Sequence, residues 1–196
     1  MTYLVFGARC LLVVVFACSA WGKLRGAGSF AAFRRATAEL VPPARAHAGP
    51  LAAAVIGTEL TVVMLLGIPA ITWVGLGASV ALLLAFTVAL VTALRRGSTA
   101  PCRCFGGGGA SPLGVRHLVR NAGLLLVAVA GLVAAVAETS DVVSAEIQPL
   151  GLVMAAVVAV VLAALVLCFD ALTDLFAGTP SRSAVPAHRY LERITT

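Results

Sequence analysis

Five stretches of about twenty apolar residues, none carrying more than two charged side chains, constrain this chain more than any other feature. They run roughly over 3–22, 50–68, 70–94, 115–137 and 147–169, and a bilayer core takes roughly 20 apolar residues per helix. Lipid offers no water to satisfy backbone groups, so each stretch is expected to form a helix. Charged residues make up 11% of the 196 positions, against roughly 25% in soluble domains, too few to cover a water-facing surface. The expected fold is all-α, a polytopic membrane helical bundle with a four-helix core and a fifth transmembrane helix. Membrane lipid is an expected partner, and nucleic acid is not.

The connections suggest how the bundle is organised. Residues 1–137 form the core, 138–170 add the fifth span, and 171–196 form a polar tail with Pro180 and Pro186. The first span has only Arg9 as a basic lead-in and is long, so it is read as a retained helix rather than a cleaved leader. Within 23–49, Phe30, Phe33, Leu40 and Val41 alternate with Arg34, Arg35 and Glu39, the pattern of a short interfacial helix. Pro42 and Pro43 should end it. Gly67, Ile68 and Pro69 mark a tight hairpin between spans two and three, and Pro149 suits the first turn of span five. With five spans, the 23–49 and 95–114 connections and the tail share one face. Cys18, Cys168, His47, His117 and His188 then lie towards that face, and Cys10 lies nearer the other.

The strongest chemical signal is Pro101-Cys102-Arg103-Cys104-Phe105, followed by four glycines at 106–109. A disulfide needs Cα atoms about 5.5–6 Å apart, and an extended i, i+2 pair is wider. Closing it bends the backbone, which suits an exchanging disulfide better than a structural one. Arg103, Arg95 and Arg96 favour the reactive thiolate, and the glycines let another backbone come close. The plain alternative is a chance pair of small loop residues. Cys102, Cys104 and His117 are also a candidate soft-metal set, but no fourth ligand is evident. Cys18 and Cys168 are candidate relay thiols, with packing in an apolar helix as the alternative.

Glu59 sits inside span two, where an ionisable group is costly and marks a functional or structural polar cluster. Counted down from the Cys-x-Cys face, Glu59 and Arg120 differ by roughly 4–5 Å at 1.5 Å per residue. A Glu59–Arg120–Asn121 network is therefore expected beneath the cysteine loop, as a working site or as a polar clasp between helices. Arg9, towards the opposite face, is expected to snorkel.

Taken in order, Ser19-Ala20-Trp21-Gly22-Lys23-Leu24, Glu59, Arg96-Gly97, Cys102-Arg103-Cys104-Phe105-Gly106 and Arg120-Asn121 resemble the methylamine-utilisation MauE family, within the wider DoxX-like group. The similarity covers roughly residues 3–137, and the Cys-x-Cys-Phe-Gly core with the Arg-Asn pair is its most specific part. The resemblance implies a bacterial cell-membrane protein acting with a thioredoxin-like partner in forming or maintaining disulfides of exported proteins. Cys102 and Cys104 would be the redox pair. Lys23, Glu59, Arg120 and Asn121 would be family-matching positions of undetermined role. Whether the chain is itself a thiol–disulfide oxidoreductase is left open, and a lipid-soluble quinone is a conceivable electron acceptor that no residue pattern marks. The alternatives are a non-catalytic membrane subunit or assembly factor, with the cysteines as a structural clip, and a metal-binding or transport module.

Charge opposes the implied orientation. Thirteen of the 14 Lys and Arg residues fall on the Cys-x-Cys face, which the positive-inside rule would make cytoplasmic. Exported disulfides need an oxidising compartment. On the resemblance alone, the expected side is extracytoplasmic.

Overall fold

The computed structural model describes residues 2–97, 115–140 and 148–176, and among these every regular element is helical. In chain order they are α1 (Thr2–Leu24), α2 (Ala27–Leu40), α3 (Ala48–Gly67), α4 (Thr72–Arg95), α5 (Val115–Ser140) and α6 (Pro149–Phe176). Five of these regions are long and apolar enough to cross a membrane: 2–24, 45–67, 69–95, 115–137 and 149–168. They match the expected spans to within a few residues at most ends. Helix α2 is the short additional helix expected in the 23–49 connection. Pro42 begins a turn of 3-10 helix, Pro42–His47, that leads into α3. Pro69–Ile71 forms the tight connection between α3 and α4.

Two helices outrun their sequence boundaries. Helix α5 continues to Ser140, and α6 to Phe176, into residues assigned to the polar tail. No Gly or Pro lies between Gly151 and Gly178, and the intervening residues tolerate helical geometry.

The core forms where α1 meets α3, α4, α5 and α6. Leu12, Val15, Phe16, Leu66, Leu76, Leu83 and Ala128 are almost fully buried there. Lipid is as apolar as leucine, so close packing rather than water exclusion holds such helices together. Small residues make the closest approaches possible. A Cβ added at Gly131 of α5 would lie 2.9 Å from the Ala8 Cβ of α1 and 3.3 Å from the Leu76 side chain of α4. At the hairpin, a Cβ on Gly75 would meet the Leu66 backbone nitrogen at 2.9 Å. Helix α6 lies against α1 on the outside of the bundle, with Ala159 and Ala163 as its most buried apolar residues. Its large Leu and Val side chains mostly face outward, as suits lipid.

Arg9 lies near the α3–α4 turn, where its Nη2 donates to the Gly67 carbonyl at 2.8 Å. It thus satisfies an open carbonyl at the end of α3, as basic side chains do at helix C-termini. This is a specific partner for a side chain expected only to reach for the membrane surface.

Candidate functional site

The buried ionisable side chains of the spanning helices, with Ser19 and Asn121, gather towards the α4 C-terminus and α5 N-terminus, whereas Thr72 and Ser79 are buried in the other half of α4. On α1, Ser19 and Lys23 stand one helical turn apart on the same face. On α3, Glu59 belongs to a buried stripe with Ala52, Ile56, Val62 and Leu66, so it faces the helices rather than lipid. Lys23 and Glu59 form an ion pair, with only 2% and 0% of each residue exposed. Ser19 Oγ donates to Glu59 Oε1 at 3.1 Å and accepts from Lys23 Nζ at 3.0 Å. A carboxylate and an ammonium can remain inside a bilayer only with such mutual compensation.

The depth of this cluster shows how the connection is used. Ser19 is about 7.5 Å from the end of α1, and Glu59 about 16 Å from the start of α3, at 1.5 Å per residue. Helix α3 therefore extends about 9 Å further than α1 on this side, and α2 with its 3-10 turn spans the difference. Phe33 of α2 packs on Ala52 and Ile56 of α3, while Leu40 packs on Leu90 and Ala93 of α4. The Lys23 ammonium lies 4.7 Å from the centre of the Phe33 ring and 5.8 Å from that of Phe86, both within cation–π range.

The same two rings also line a partly open cavity of about 210 Å³ between α2, α3, α4 and α5. Its walls are mainly apolar and aromatic, from Phe33, Leu40, Leu51, Val55, Leu82 and Phe86 among others. Thr37, His117, Arg120 and Asn121 supply its polar groups, and the last three are 5%, 8% and 2% exposed. Asn121 Nδ2 donates to the Leu83 carbonyl at 2.9 Å and to Thr87 Oγ1. A carbonyl can only accept, so this bond orients the amide. Asn121 Oδ1, although buried, has no hydrogen-bond partner among the described residues, and the same is true of Glu59 Oε2.

The expected Glu59–Arg120–Asn121 network is thus divided among the described residues. Lys23 and Ser19 hold the Glu59 carboxylate, and Asn121 bonds α4. The Phe33 and Phe86 rings lie against the Lys23 ammonium and also line the cavity, which neither Lys23 nor Glu59 lines. Counting depth along each helix did not show which neighbouring helix each of these faces points to. Ser19, Phe33, Phe86 and Thr87 were not singled out as site residues, although the Ser19–Lys23 spacing carried a usable signal.

Cys18 and Cys168 are exposed on the outer surface of the bundle, and Cys10 is half-buried. The first two therefore stand outside the polar interior. Cys102, Cys104 and the glycines that follow lie outside the described residues, as does the tail from residue 177 onward. The segment carrying the cysteine pair joins α4 to α5, and both flanking helix ends belong to the polar half, with Leu90 and His117 lining the cavity. Of the soft-metal set, only His117 falls among the described residues.

No curated protein and no solved structure matches the chain. The model of one family does, described as methylamine utilisation protein MauE, over residues 1–134. That span takes in α1 to α4, most of α5 and both halves of the polar interior, so this multi-pass membrane protein belongs to the MauE family.

Proposed function

We propose that the protein is a membrane thiol–disulfide redox carrier that serves exported proteins through a thioredoxin-like partner, with Cys102 and Cys104 as its exchanging pair. The observation that carries this reading is the placement of polar groups. A bundle with few buried charges concentrates them in the half from which the Cys-x-Cys segment leaves α4 and enters α5. In the exchange, a thiolate of the reduced partner attacks the Cys102–Cys104 disulfide and forms a mixed disulfide. The partner's second thiolate resolves it. Two electrons and two protons pass to this chain, and the partner leaves oxidised. Arg103, Arg95 and Arg96 would stabilise the departing thiolate.

Lys23, Glu59 and Ser19 serve this reading as a rigid polar clasp between α1 and α3, with Arg120 and Asn121 on the cavity side. The cysteine face is assigned to the extracytoplasmic side, where disulfides persist, against the charge distribution. Part of that distribution lies inside the bundle. Lys23 is neutralised by Glu59, and Arg120 is 8% exposed; setting both aside leaves eleven basic residues on that face. Methylamine utilisation, the process in the family's description, is the setting we assign.

The test is a mixed-disulfide trap. Cys102→Ser and Cys104→Ser variants are produced separately in the native host, quenched with acid and purified under denaturing, non-reducing conditions. The reading predicts that one single variant carries a thioredoxin-like protein released by reductant, and that the double variant does not. A double variant that fully restores a deletion strain would overturn it. So would a stable partner complex whose Cys102–Cys104 redox state never changes, the behaviour of a non-catalytic subunit with a cysteine clip.

A further inference from the structure

The cavity between α2 and α5 has more definition than a packing defect, and its chemistry narrows the ligand. Its volume is about 210 Å³, and an apolar cavity of about 150 Å³ is enough to hold benzene. A substituted six-membered ring therefore fits, with two phenyl rings, Phe33 and Phe86, in the wall. No carboxylate residue lines the cavity among the described residues, whereas Arg120 does. The nearby Lys23 ammonium lies against the Phe33 and Phe86 rings. These charges disfavour a cation.

A fatty-acid carboxylate would suit Arg120, but it can never donate to the buried Asn121 Oδ1, which has no hydrogen-bond partner among the described residues. A bare acyl chain can do neither. A group that alternates between a carbonyl and a hydroxyl on a ring meets the first requirement when oxidised and both when reduced. Its carbonyl accepts from the guanidinium, and its hydroxyl donates to the asparagine oxygen.

We propose that this cavity binds the ring headgroup of a lipid-soluble quinone, with Arg120 and Asn121 as its polar contacts and Phe33 and Phe86 as its ring contacts. Binding stands on the cavity alone; the use of the bound quinone rests on the redox reading above. There the reduced Cys102 and Cys104 thiols form a disulfide. Their two electrons and two protons convert the quinone into hydroquinone, so the pair is oxidised again without a further reactant.

Menadione, a quinone ring without a long tail, is the probe, titrated calorimetrically into the full-length protein in nanodiscs with empty nanodiscs as the blank. Ala89→Phe fills the cavity from α4 while leaving every polar contact in place, and thermal unfolding without ligand checks that it folds. The wild type is expected to bind saturably, and Ala89→Phe to bind at least about tenfold more weakly. Asn121→Leu should weaken binding of the reduced ring, menadiol titrated anaerobically, whose hydroxyl can donate to Asn121 Oδ1, more than that of menadione, which has no proton to give. The Cys102→Ser/Cys104→Ser variant should bind like the wild type, because the cysteines are not part of the cavity. Unchanged affinity in a folded Ala89→Phe protein overturns the proposal, as does displacement of menadione by oleate at equal concentration. If the mixed-disulfide trap fails while menadione still binds in this pattern, only the redox reading falls.

Discussion

Replacing Lys23 with Met isolates what the buried ion pair contributes. The substitution preserves much of the apolar stem and removes the ammonium, leaving Glu59 with Ser19 as its hydrogen-bond donor. Removing one partner of a buried pair costs about 3–5 kcal/mol. Loss of the two cation–π contacts adds to this, and protonation of the stranded carboxyl relieves part of it. We expect a net loss of about 3 kcal/mol. Glu59→Leu should cost a similar amount, because it leaves Lys23 charged with a hydroxyl in place of a counter-ion. The Lys23→Met/Glu59→Leu double variant removes both charges and should return to within about 1 kcal/mol of the wild type, or exceed it. Reversible SDS unfolding in mixed micelles, followed by far-UV circular dichroism, gives all four free energies and hence the coupling between the residues. A double variant as unstable as the sum of the two singles would refute the reasoning, since the charges would then not be compensating one another.

Gly131→Val should lose about 1–3 kcal/mol, because the new side chain meets Ala8 and Leu76 in a tight crossing. Gly123→Ala, at a helical site with nothing within 4 Å of the added carbon, should be neutral or mildly stabilising in the same unfolding assay. Arg9→Met removes the bond to the Gly67 carbonyl and should cost about 0.5–1 kcal/mol; if it instead destabilises as much as Lys23→Met, Arg9 is more than an end cap. Cys18→Ala/Cys168→Ala should leave partner oxidation at the wild-type rate in a quenched thiol assay, because both thiols face outward. A loss of rate would restore them as relays.

The helices were legible because length and hydropathy decide them in lipid, down to the α3–α4 turn at Pro69 and the end of α2 before Pro42. The chain also exposed its polar residues, since each ionisable group inside an apolar run stands out. Their pairing was harder to read. Apart from Glu59 and its neighbouring threonines, helix α3 is apolar on all sides, so its hydropathy does not show which helix the stripe through Ala52, Ile56 and Glu59 faces. In lipid, the outer face is as apolar as the core. Height was counted as if all helices began at one level, which placed Glu59 near Arg120. Helix α1 stops about 9 Å short of α3, and this puts Lys23 against Glu59 instead. The cavity draws on four helices and could not be seen from any one of them.

The central claim is most directly tested by labelling thiols in intact cells with a membrane-impermeant maleimide, before and after mild reduction. The chain used carries Cys10→Ala, Cys18→Ala and Cys168→Ala, so that Cys102 and Cys104 are its only thiols. The account predicts no labelling before reduction and two labels per chain after it, the pattern of an oxidised pair on the extracytoplasmic face. Labelling that appears only once the membrane is permeabilised would place the pair in the cytosol and contradict a role in exported disulfides.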